Sequence, residues 1–136
     1  MPEKQVCLFH RYVAQLLLVS TRVRGDIKTA VAFLTMRVKS PDGDDWGKLG
    51  RVMRYLARCP DLPLTLEASQ GISGVVNWWV DASYAVHMDY KGHIWGMMSI
   101  GKGAIMDLSR KKKVNAQSST ESELIGVDDY AQDDMG

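Results

Sequence analysis

This chain of 136 residues has little that would staple or anchor it. Two cysteines, Cys7 and Cys59, cannot build a disulfide framework, so a reducing, intracellular compartment is expected. The longest aliphatic run, Leu16 to Val19, falls far short of the roughly 20 apolar residues that a membrane-spanning helix needs. The start shows no basic stretch followed by an apolar core, so neither a targeting segment nor a membrane partner is expected. The three histidines, His10, His87 and His93, lack zinc-ligand spacing to the cysteines and read as surface or locally bonded side chains. What is present is ordinary globular composition, 46% apolar and 24% charged, with length for one domain or for one small domain plus part of another.

Lysine and arginine are absent after Lys113, where six acids lie; between Arg11 and Arg58, ten basic residues face four acids. The formal charge of +1 therefore hides zoning. A basic half attracts polyanions and an acidic cluster attracts hard cations, although either is commonly a solvated face.

Helical periodicity comes first. Phe9, Val13, Leu16 and Leu17 mark one helix, closed by Ser20, Thr21 and Gly25. Ile27, Val31, Leu34 and Val38 mark a second, broken by "KSPDGDD". A third starts behind Asp44 or Asp45 with Leu49, Val52, Met53 and Leu56 inside, ends at Cys59 and Pro60, and carries Lys48, Arg51, Arg54 and Arg58 on its other side. The period then changes. Leu62, Leu64 and Leu66 alternate with polar residues, and "GVVNWWVDAS" reads as a strand apolar on both faces. Ile94 to Ile100 and Ala104 to Arg110 read as two more strands joined by a tight "GKG" hairpin. The expected fold class is α+β: a helical segment over 1–60, then over 61–136 a three-stranded antiparallel meander and one helix.

The last helix opens at "QSSTESEL", residues 117 to 124. Thr120 suits an N-cap and Glu123 its capping-box partner, with Leu124, Val127 and Ala131 as the apolar stripe. The alternative is that one glutamate is a ligand. Asp81, at the end of the apolar run Val75 to Val80, raises the same choice. It is either a turn-starting Asp beside Ser83 or one half of a divalent-metal site shared with Glu123.

The blocks "FHRYVAQLLLVSTRVRGDIKTAVAFLTMRVKSPDGDDWGKLGRVMRYL", "WWVDASYAVHMDYKGH", "LSRKKKVNAQSSTESEL" and "GVDD" stand in one order from about Leu8 to Ala131. The first resembles the C-terminal helices of a copia-type LTR retrotransposon reverse transcriptase. The others resemble the first half of the ribonuclease H domain that follows it in the same Pol polyprotein. The resemblance implies a ribonuclease H-like fold and hydrolysis of RNA in RNA–DNA hybrids by two magnesium ions held by four carboxylates, with manganese as the alternative ion. It puts the first carboxylate at Asp81 and the second, which directly precedes a Leu, at Glu123, leaving Glu121 to cap. It makes both residues catalytic and metal-binding. Contact with hybrid or other nucleic acid is expected at Arg110, Lys111, Lys112, Lys113, Ser118, Ser119 and Thr120, the basic cluster and the basic helices holding phosphates.

Three departures limit what the resemblance implies. The third and fourth carboxylates and the polymerase aspartates have no counterpart here, and "VDDY" at 127 to 130 falls inside the last helix. The family's usual Thr-Gly is Ile94 and Trp95, and its usual Pro is Met88. The expectation is a Pol fragment that is inactive alone; the alternatives are a non-catalytic nucleic-acid-binding module and a nuclease completed by a partner chain. With the strand after the meander missing, Val75 to Val80 is expected to present an open apolar edge and to drive self-association.

Overall fold

Phe9, Val13, Leu16 and Ser20 lie along one side of a helix and are buried, which makes them the inner face of α1 (Glu3–Arg22). Leu17, expected inside, is exposed, because one residue past Leu16 turns about 100° round the helix. The computed structural model describes residues 1–62, 64–68 and 75–134, in two compact units, Met1–Leu64 and Thr65–Gly136. In the first unit a short 3-10 turn (Gly25–Ile27) leads into α2 (Lys28–Thr35), shorter than the expected run to Val38. α3 (Gly43–Arg58) follows. Its cap is Asp42, whose side chain accepts from the N–H groups of Asp44 and Asp45, while the Asp45 carboxylate accepts from the Asp42 N–H at 3.0 Å. That reciprocal pair satisfies donors a helix start leaves open. Ile27, Val31, Leu34 and Leu49 complete a core with Phe9, Val13 and Leu16; each such side chain contributes roughly 1.5–3 kcal/mol on burial. Met53, expected with them, is exposed.

A polar tie joins the unit's ends. Arg24 donates to both oxygens of Asp26 at 2.9 Å and to the Cys59 carbonyl at 2.7 Å. Tyr55 on α3 donates to Asp26 at 2.8 Å, and the guanidinium lies 5.5 Å from the centre of the Tyr55 ring.

The second unit holds the expected meander: β2 (Asn77–Ser83), β3 (His93–Ser99) and β5 (Met106–Lys111), antiparallel in that order. The alternating leucines do not form the strand their pattern suggests. Leu62, Leu64 and Leu66 are exposed, and only Glu67–Ala68 (β1) pairs, with Gly101–Lys102 (β4). "GKG" is therefore a strand contact rather than a bare hairpin turn; Gly103 has φ +76°, and a Cβ there would come 2.1 Å from the Thr65 carbonyl. β2 is an outer strand among the described residues, and Trp78 and Trp79 are exposed.

α4 (Ser119–Asp134) crosses β2. Gly126 is the point of closest approach: a Cβ there would come 2.8 Å from the Ala82 Cβ, with Val80 and Ile94 next. Ser122 and Gly126 are buried, whereas Leu124 and Val127, expected as the inner stripe, are exposed. The helix thus turns small residues, not its aliphatic ones, to the sheet.

Candidate nucleic-acid interface

The start of α4 assigns its two glutamates different work. Ser118 accepts from the Glu121 N–H at 3.1 Å and Glu121 accepts from the Gln117 N–H at 2.5 Å. Ser118 is therefore the cap in place of Thr120, and Glu121, in place of Glu123, is the glutamate that reaches back, to the N–H of the residue before the cap. Glu123 is exposed and left out of the cap, on the solvent side with Leu124 and Val127.

Strand alternation decides where Asp81 lies. Val80 and Ala82 face α4, so Asp81 leaves the other side of the sheet, where it is exposed and paired in register with Trp95, itself opposite Ser109. The Trp that departs from the family pattern thus occupies the sheet face beside Asp81. Among the described residues no group of three or more His, Cys, Asp or Glu side chains could hold a metal ion.

The basic cluster is dispersed by its partners. Arg110, on the α4 face of β5, donates to the Asp129 carbonyl at 2.8 Å, and Lys111 pairs with Asp89 at 2.6 Å. Lys112, expected with its neighbours to contact nucleic acid, is turned inward. It is buried, its amine donates to the Ser122 hydroxyl at 2.6 Å and to the Ser122 carbonyl, and Ser122 in turn donates to the Ser83 carbonyl at 3.1 Å. Desolvation pulls the Lys112 amine below the usual lysine range, opposed by the charges of Asp129 and Glu123. It locks α4 to the sheet and is closed to phosphate. Lys113, Ser119 and Thr120 are exposed.

A continuous basic surface does exist on α3. Lys48, Arg51, Arg54 and Arg58 are exposed at spacings of three, three and four residues, one face of a helix. Leu49 is buried behind them, with Val52 and Leu56 packed against the core. Lys48 is also paired with Asp44 at 2.7 Å.

Sequence reasoning missed one further group. His87 Nε2 lies 3.2 Å from His93 Nδ1, and His93 Nε2 lies 2.8 Å from Ser109 Oγ. Burial lowers both imidazole pKa values, His93 to about 4, with Lys111 adding to the effect on His87 and Asp89 opposing it. The spacing of the two histidines carries no motif; only the β2–β3 turn and the strand register bring them to Ser109.

Against known proteins, the chain is 34% identical over 105 residues to a retrovirus-related Pol polyprotein from transposon RE2 of Arabidopsis thaliana. The match takes in 76% of this chain and about 7% of the length of that protein. No family model and no solved structure matches. The likeness supports a retrotransposon Pol fragment.

Proposed function

From a chain that is similar over three quarters of its length to a stretch of a transposon's Pol polyprotein, we propose that it is a copia-type junction in which the last reverse transcriptase helices run into the first half of a ribonuclease H-like domain. In this reading it holds RNA–DNA hybrid through the basic face of α3 and does not cleave it alone. The observation that carries the binding is the exposed row Lys48, Arg51, Arg54 and Arg58. Ten residues of helix rise about 15 Å, the length of duplex that carries on the order of nine phosphate charges. Arginine forks bind phosphate oxygens in pairs and read no sequence, which suits a protein that must accept any hybrid.

Asp81 and Glu123 are, on this reading, the ancestral first and second carboxylates, with magnesium or manganese as the ion of the ancestral site. Incubating the protein with labelled hybrid and magnesium or manganese checks both halves. The expected result is retention of hybrid at low salt with the RNA strand intact. Magnesium-dependent RNA fragments abolished by Asp81→Asn would overturn the non-cleaving half, and absence of binding at low salt would overturn the interface.

A further inference from the structure

The β2–β3 turn is built around His87. Its carbonyl accepts from the Tyr90 N–H at 2.9 Å and its N–H donates to the Lys91 carbonyl at 3.1 Å. Two non-glycine residues in this turn, Ala85 and Tyr90, adopt left-handed φ values of 49° and 58°. Such conformations cost of the order of 1 kcal/mol or more and collect where a side chain must be presented in one place. The side chain presented is the imidazole, and its Nε2 meets His93 Nδ1 at 3.2 Å with ring centres 5.3 Å apart.

We propose that His87 and His93 form a two-imidazole seat for one transition-metal cation of the zinc class. An ion about 2.05 Å from each nitrogen, the usual zinc–imidazole length, would see two atoms 3.2 Å apart at an angle of about 100°, near tetrahedral. The second nitrogen of His93 lies on Ser109 Oγ at 2.8 Å, the outer hydrogen bond that fixes the tautomer and ring orientation of a ligating histidine. Burial keeps both rings unprotonated at neutral pH, the form that ligation requires. Lys111, whose charge acts on His87 more strongly than that of Asp89, is held in a pair with Asp89 at 2.6 Å. With two protein nitrogens, one fewer than an open zinc site supplies, the remaining coordination positions belong to water or to an external donor. The same atoms resemble a Ser–His–His relay, but a ring whose pKa is near 4 is a poor proton acceptor at neutral pH.

Calorimetric titration of the whole chain with zinc chloride tests the seat, with magnesium chloride as the control ion. One zinc per chain is expected, weakened by about tenfold or more in His87→Gln and unchanged in His10→Gln. His87 lies on a turn, so circular dichroism should show that variant folded. As a second measurement, the ring-proton signals of His87 and His93 should move together on adding zinc while those of His10 stay. Equal zinc affinity in the parent and His87→Gln, or a response at His10 alone, would overturn the proposal.

Discussion

Asp26 accepts two bonds from Arg24 and one from Tyr55, and the guanidinium is the larger cause of its lowered pKa. Because the folded value lies below the usual 3.8, the tie stabilises fully above that pH and is lost as pH falls through the folded value. Asp26→Asn is expected to cost about 1–3 kcal/mol at neutral pH, read by urea unfolding, and that deficit should shrink below about pH 4. An undiminished deficit at pH 3 would remove Asp26 as the titrating group. Residues of this kind were only half legible. The zoning of basic residues was visible, but Lys112, one of four consecutive basics, gave no sign that it would be the buried one. Nor did the interval between Asp81 and Glu123 say that alternation along β2 would send Asp81 away from α4.

The buried face of a helix was readable where polar and apolar residues separate cleanly, as on α3, and misread on α4, which is the expected helix. There the aliphatic residues Leu124 and Val127 are exposed because the sheet admits only small side chains at Ser122 and Gly126. A single pattern cannot show which face a neighbour will accept. Two glycines test the packing by opposite outcomes. Gly50 lies in α3 with open space around it, nothing standing within 4 Å of where a Cβ would be, so Gly50→Ala should stabilise by up to about 1 kcal/mol. Gly126→Ala must push against Ala82 and should destabilise by about 1–3 kcal/mol, despite the same gain in helix propensity. Stabilisation by both would mean that α4 does not lie against Val80, Ala82 and Ile94. β2 carries its own expectation. As an outer strand among the described residues, with Trp78 and Trp79 exposed and Val75 and Val76 exposed just before it, it should recruit a second copy, giving concentration-dependent mass in sedimentation that Trp78→Lys reduces. A constant monomer mass would contradict it.

The two units are built on different terms. Met1–Leu64 has a seven-residue buried apolar cluster, whereas among the described residues Thr65–Gly136 buries Ala82 and Ile94 beside His93, Ser99, Lys112 and Ser122. The α+β order, the three-stranded meander and the closing helix were legible because the hydrophobic period changes near Pro60. Partners made across the fold were not, since the β2–β3–β5 register, not the sequence interval, brings His93 to Ser109. The central claim, hybrid held by the α3 stripe, is tested most directly by the salt dependence of hybrid binding in the parent chain and in an Arg51→Gln, Arg54→Gln double variant, followed by fluorescence anisotropy. The account predicts a log–log slope that becomes shallower by about 2 in the variant, one unit for each phosphate contact removed; an unchanged slope and affinity would show that α3 does not hold the nucleic acid.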